Sequence, residues 1–343
     1  MTAPVLARLG RWTKRLLTGV AVLLLVALAV GTIWEQIAWR RTLANHPAPG
    51  RLVDIGGRRM QIDCRGTGAP VVVFEAGLDV GGALSWSLVH DSIAQRTRAC
   101  AYSRAGINWS DPSPAPHNAV TIATDLHALL GAAGEKPPYV MVGHSLGGPY
   151  IMSFTKRYGA DVAGLVFVDA SHPDQIKRLA AVLGRTPEAS LWWLKAAASL
   201  SWTGLVRAAS GLLKSDKMSP EGEAAMQGYL PRSLGQMLLE QESMDSTMAE
   251  AGSFRSLGDR PVVVLTSMKP MPATTIKAFK ISQETANQFK QEWLKLHDEE
   301  ASWSSRSRHE SVADAGHYIQ AERPDVVIRA VREVVDSVRV RTP

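Results

Sequence analysis

The stretch Tyr139-Val-Met-Val-Gly143-His144-Ser145-Leu146-Gly147-Gly148, followed after Pro149 by the run Tyr150–Tyr158, decides how the rest of this 343-residue chain is read. Tyr139–Val142 is a short apolar run of the type buried inside a sheet, and Tyr150–Tyr158 reads as a helix. Between them, Gly143-His144-Ser145-Leu146-Gly147 fits G-x-S-x-G, a sharp strand-to-helix turn that projects a serine hydroxyl. Glycines on either side of the serine remove side chains that would collide in so tight a turn. The helix behind it offers oriented N–H groups and the positive end of a dipole. Alone the pattern is weak; its strand–turn–helix setting gives it weight.

Working outward, further short apolar runs, most of them rich in Val, occur at Val71–Phe74, Ala99–Tyr102, Leu165–Val168 and Val262–Leu265. Runs this short and this apolar predict strands covered on both faces, as in a parallel sheet. Two shorter candidates, Arg51–Ile55 and Arg58–Cys64, meet at Gly56-Gly57, a hairpin signature. Helices are predicted at Asp125–Leu130, around Ala286–Leu296 and over Val327–Val334, so strands and helices alternate and the fold class is α/β. One stretch of about 84 residues, roughly 173–256, holds no convincing strand. It carries Trp192, Trp193, Trp202 and five of the eleven methionines, and predicts a helical insertion covering one end of the sheet.

A serine needs a base to become a nucleophile. His317, in Ala315-Gly316-His317-Tyr318 after a strand-like run near Ser311-Val312, is the candidate by chain order. His46 lies in a linker, His117 in a Pro-rich loop, His127 in a helix, and His144 inside the turn itself.

At the amino terminus, residues 16–34 read LLTGVAVLLLVALAVGTIW without a charge. As a helix they span roughly 28 Å, close to a bilayer's hydrocarbon core. Basic residues precede the run, and Trp12, Trp34 and Trp39 stand where interfacial anchors belong. We expect a basic cytoplasmic segment 1–15, a transmembrane signal anchor 16–34, a linker 35–50 and a body 51–343 outside the cytoplasm. A cleavable signal peptide ending near Ala27-Leu28-Ala29 is the alternative and also carries the body across the membrane.

The net charge of +6 does not indicate a nucleic-acid partner. Residues 1–51 hold seven basic side chains against Glu35 alone, so the remainder is formally neutral and supplies no basic face for phosphates. There is no P-loop, H-E-x-x-H, EF-hand or dinucleotide fingerprint, and no cofactor or metal is expected.

Three segments, GHSLGG at 143–148, AGHYIQAERPDVV at 315–327 and AYSRAGINWSDP at 101–112, resemble those of the alpha/beta-hydrolase superfamily. The resemblance extends over nearly all of residues 51–340. The third segment is similar to the family's Y-D-R-x-G-x-G-x-S-D loop, with Ser103 and Asn108 in place of Asp and Gly. The resemblance implies an oxyanion hole built from the Leu146 N–H and, in Glu75-Ala76-Gly77-Leu78, the Leu78 N–H. It implies an acid after either the seventh or the sixth strand. The segment after Val262–Leu265 holds no carboxylate, so Asp169, after Phe167-Val168, is preferred, with Asp174 in reserve and Asp298 more remote. It also sets the strands of Cys64 and Cys100 side by side, where a disulfide would contribute roughly 3–4 kcal/mol by loop closure; two buried thiols are the alternative.

The expected function is hydrolysis of an ester or related acyl bond through Ser145, His317 and Asp169, on a small-molecule substrate with an apolar portion. An acyltransferase with the same triad, and a membrane-tethered binding protein of the same fold, are the alternatives. The helical cover, Trp192 and Trp193 included, is expected to line the acyl pocket.

Overall fold

Alternate residues of the central strands face opposite helical layers, which is why those strands are apolar without interruption. The computed structural model describes residues 3–114, 116–185, 191–212 and 217–340, and side chains from Trp12 onward. The strands are β1 (Arg51–Asp54), β2 (Arg59–Arg65), β3 (Val71–Glu75), β4 (Ala99–Tyr102), β5 (Tyr139–His144), β6 (Val162–Val168), β7 (Gly258–Ser267) and β8 (Ser304–Val312). They form one sheet in the order β1-β2-β4-β3-β5-β6-β7-β8. Only β2 runs against the others, antiparallel to β1 and β4.

The helices are α1 (Ala3–Asn45), α2 (His90–Ala94), α3 (Ala119–Ala132), α4 (Gly147–Tyr158), α5 (Gln175–Leu183), α6 (Trp192–Ser199), α7 (Leu205–Ser210), α8 (Pro220–Glu242), α9 (Met244–Gly252), α10 (Ala273–Phe279), α11 (Gln283–Ser302), α12 (Ile319–Glu322) and α13 (Pro324–Arg339). Val73, Met141, Leu165 and Val264 pack on one face of the sheet against Leu126 and Leu129 of α3 and Phe154 of α4. Val72, Val140, Val166 and Val263 pack on the other against Ile93 of α2 and Val327, Val331 and Val334 of α13. The helices α5–α9 all fall between β6 and β7, so the insertion after the sixth strand is a helical cap.

Three expectations need correction. Residues 35–45, expected in a linker 35–50, continue α1 without a break, because Glu35 and Thr42 on one face of that helix are buried against the cap. The eighth strand starts at Ser304, well before Ser311. Its polar sequence, SSRSRHESV, belongs to an edge strand that keeps much of its surface wet, so it lacks the apolar run by which the inner strands are recognised. The helix expected over Asp125–Leu130 covers Ala119–Ala132, capped by the Asn118 side chain accepting from the Thr121 N–H. The basic side chains of Arg8 and Arg11 lie outside the described residues. The cysteines face each other in the β2–β4 register and are bonded, with sulfurs 2.06 Å apart.

Candidate active site

The turn between β5 and α4 is as tight as the sequence implies. Ser145 sits at φ +52°, a left-handed conformation that a serine adopts only under constraint. A Cβ on Gly147 would lie 2.5 Å from the Glu75 carbonyl, and one on Gly77 would lie 2.9 Å from the Ser145 Cβ. Glycine at these two positions therefore lets the loop after β3 close against the serine.

The Ser145 Oγ is 2.9 Å from His317 Nε2, and His317 Nδ1 is 2.6 Å from Asp169 Oδ2. Asp169 follows β6 directly, at φ +42°, and is buried. Burial alone would raise its carboxyl pKa. The hydrogen bond and charge of His317, the charge of His297 and the Trp293 N–H outweigh that and hold it well below the usual carboxylate range. Asp169 is thus a carboxylate that keeps an imidazole Nδ1–H in place and leaves Nε2 facing the serine.

The other acids lie elsewhere. Asp174 accepts from Arg255 at 2.8 Å, and Asp298 pairs with His309 at 2.6 Å. Leu146 and Leu78 flank Ser145 and pack in one apolar cluster with Tyr150 and Met248. Among the described residues, neither the Leu146 nor the Leu78 N–H donates to another protein group.

Sequence reasoning missed several residues that hold this arrangement. Ser267, at the end of β7, donates its N–H to Asp169 Oδ1 at 2.8 Å and its hydroxyl to Oδ2 at 2.9 Å. Trp293 Nε1 donates to Oδ1 at 2.9 Å. All of the polar partners of Asp169 therefore come from the β7 end, α11 and the His317 loop. His144 is buried, and desolvation together with the charge of His317 brings its pKa down to about 3. As a neutral imidazole it donates from Nε2 to the His317 carbonyl at 2.9 Å, which fixes the His317 loop.

Behind the loop after β3 lies a buried charge cluster. Arg104 donates to Glu75 Oε1, to the Ala76 and Gly77 carbonyls, and to both carboxylate oxygens of Glu240 on α8, at 2.6–2.8 Å. Tyr102 donates to the second Glu75 oxygen. Burial pushes Glu75 up to about 7 despite Arg104 and Tyr102. Arg104 belongs to the loop whose Asn108 stands where the superfamily pattern has glycine. That position has φ +49°, and the Asn108 side chain donates to the Gly81 carbonyl at 2.7 Å.

A cavity of about 280 Å³ opens beside Leu78 and Tyr318, the chain neighbours of Gly77 and His317, and is bounded also by Val80, Met218, Met226 and Met237 and by the polar Asp79, Ser85 and Lys217. Its apolar wall is methionine from α8 and the segment before it. Trp192 and Trp193, expected in such a wall, are instead 72% and 58% exposed on the outside of the cap. On α6 it is Leu194, Ala197 and Ala198 that turn inward onto Leu230 and Leu234 of α8, which leaves the adjacent tryptophans facing out.

The profile of the alpha/beta hydrolase family matches residues 63–330. The chain belongs to that family. Within it, an AB hydrolase superfamily protein of Gibberella zeae is 23% identical over 79% of this chain and 87% of its own. A probable transporter of Hormonema carpetanum is 37% identical, over 37% of this chain and only 19% of its own length. The chain thus spans well under two thirds of several curated relatives that it matches. A thermophilic esterase from Thermogutta terrifontis superposes with a TM-score of 0.55 at 18% identity, over 82% of this chain and 94% of that one. A putative epoxide hydrolase from Pseudomonas aeruginosa superposes with a TM-score of 0.59 at 14% identity, over 84% and 96%. At such identities the likeness is one of fold.

Proposed function

We propose that this alpha/beta hydrolase is a serine esterase held to a membrane by α1, with its body outside the cytoplasm. Ser145 Oγ attacks the acyl carbon while His317 Nε2 takes its proton. The N–H groups of Leu146 and Leu78 receive the developing oxyanion, and each such donor is typically worth about 3–4 kcal/mol in the barrier. His317 returns the proton to the departing alcohol, leaving an acyl-Ser145 ester. A water molecule, deprotonated by the same imidazole, then releases the acid. Asp169 steadies the imidazolium in both halves.

The observation that carries this reading is the unbroken hydrogen-bonded chain from Ser145 through His317 to Asp169. The methionine-walled cavity supports an apolar acyl group. The placement of the body is supported by the Cys64–Cys100 bond, which suits an oxidising compartment. It is supported too by α1, whose apolar stretch has mean hydropathy 2.6 with none of it buried. Residues 1–15 then lie in the cytoplasm and 16–34 cross the bilayer. Incubation with a fluorophosphonate probe tests the chemistry. The wild type should be labelled and Ser145→Ala should not; labelling that persists in a folded Ser145→Ala overturns the assignment.

A further inference from the structure

The amino-terminal helix changes character part-way along. Every residue from Trp12 to Val30 is exposed. From Gly31 onward, Gly31, Glu35, Ala38 and Thr42 repeat at helical spacing and are wholly or partly covered, by the cap. A Cβ on Gly31 would lie 2.3 Å from the Thr203 carbonyl, and one on Gly204 would lie 2.6 Å from the Trp34 ring. Arg207 of α7 donates to both carboxylate oxygens of Glu35 at 2.7 Å, and Trp39 packs edge-on against Tyr229 at 5.3 Å. The end of α1 is therefore fastened to the cap by close backbone packing, an ion pair and an aromatic contact.

That attachment sets the cap's height. The turn Ser201–Thr203 and Gly204 touch α1 at Gly31 and Trp34, inside the last turn of the apolar span 16–34. If α1 crosses the bilayer there, the turn lies where hydrocarbon gives way to headgroups. The cap surface beside it is apolar. Trp192, Trp193, Trp202 and Leu205 are 72%, 58%, 50% and 61% exposed, and residues 191–206 contain a single charge, Lys195. Four large apolar side chains left in water near the exit of a membrane span are unspent hydrophobic area, and tryptophan is the residue enriched at that depth.

We infer that the outer face of α6, the turn Ser201–Thr203 and the start of α7 docks into the interfacial layer of the same bilayer that α1 spans. The inference rests on the anchor reading of α1. Its consequence is that the cap, and through α8 the methionine wall beside Leu78 and Tyr318, stands against the membrane, on the side from which an amphiphilic ester would arrive.

The two cysteines are bonded to each other, so single cysteines can be spin-labelled in the full-length chain reconstituted in phosphatidylcholine–phosphatidylglycerol nanodiscs. Labels at Trp193→Cys, Trp202→Cys and Leu205→Cys should be reached by oxygen severalfold more readily than by a water-soluble nickel chelate. A label at Arg306→Cys, at the start of β8 on the opposite edge of the sheet, should show the reverse. Leu23→Cys reports α1 itself. Lipid contact at Leu23 with water contact at the three cap positions overturns the docking alone. Water contact at Leu23 overturns the anchor and the docking together. Labels at the cap positions shielded from both reagents mean that protein covers the face, which also overturns the docking.

Discussion

The sheet and the cap treat their large side chains in opposite ways. Phe74, Phe154, Phe167 and Trp86 in the sheet's two layers are at most 1% exposed, whereas Trp192, Trp193 and Trp202 on the cap are half exposed or more. The sheet spends its apolar area on its own core, sandwiched between α3 and α4 on one side and α2 and α13 on the other. The cap divides its apolar area between an inner wall of methionines and an outer face of tryptophans. Residue type alone does not tell a pocket wall from an outer face. In the sheet, local pattern is enough to place a side chain; in the cap, placement depends on which face of each helix meets α8, α1 or solvent. The following tests separate the two regions.

The largest effect is expected at the sheet's carboxyl edge, where the proposed chemistry depends on a rigid acid. Asp169→Asn removes the charge beside His317 and lets the amide favour the wrong imidazole tautomer. Turnover of an acyl ester should fall by about 10⁴-fold with the fold retained. Asp174→Asn, which breaks only a half-exposed pair with Arg255, should leave turnover within a few-fold of wild type. The reverse ranking would move the acid into the cap and erase the contrast.

How far this contrast was legible in the sequence depends on the element. The strands β3 and β5 were recognisable within a residue or two because their valines need no context. The serine turn and His317 were legible because chain order and neighbouring glycines constrain them. Asp169 could be preferred chiefly through an absence, the lack of a carboxylate after β7. What meets Asp169 there is Ser267, the last residue of β7, which donates to it twice, and a serine at a strand end carries no signal of that role. Trp293 reads as an ordinary helical core residue, and its N–H partner is 124 positions away. The outward tryptophans were misplaced for the same reason. Hydrophobicity predicts burial against something, and a sequence does not say whether that something is protein.

The next effect in size lies at the joint between sheet and cap. Arg104→Met strips the buried Glu75 and Glu240 of their shared cation and releases the carbonyls of Ala76 and Gly77. Leaving buried carboxylates unpaired typically costs about 3–5 kcal/mol. Denaturant unfolding should show a loss of that order, and the proposed esterase activity should fall as the loop after β3 slackens. A loss below about 1 kcal/mol would mean that cap and sheet are energetically independent.

Smaller, and dependent on pH, is the contribution of Glu75. Its folded pKa, about 7, lies above its ordinary value of 4.5, so the folded protein holds this proton more tightly than the unfolded chain. Its contribution to stability is complete below about pH 4.5, declines as pH rises toward 7, and is flat beyond. Asp169 works the other way and at lower pH, since its depressed pKa stabilises the fold above the ordinary carboxylate range and that gain is lost on acidification. Unfolding free energies measured from pH 4.5 to 7.5 should therefore fall less steeply in Glu75→Gln than in wild type. Parallel curves would show that Glu75 is ionised throughout, with Arg104 outweighing its burial.

The smallest effect distinguishes the two apolar faces of the cap. Met237 borders the cavity beside Leu78 and Val80, so Met237→Ala enlarges the space open to an acyl chain. A methylene in such a pocket is worth about 1–3 kcal/mol, so preference among soluble esters of increasing length should move by about tenfold or more toward longer chains. Trp192, 72% exposed and facing away from α8, touches no part of that cavity. Trp192→Ala should leave the length profile of soluble esters in place and alter unfolding by no more than about 0.5 kcal/mol, as surface substitutions usually do. A Trp192→Ala profile that shifts as far as that of Met237→Ala would require α6 to roll inward during turnover. The outer tryptophans would then belong to the acyl pocket after all, and the division of the cap into an inner methionine wall and an outer tryptophan face would describe only its resting arrangement.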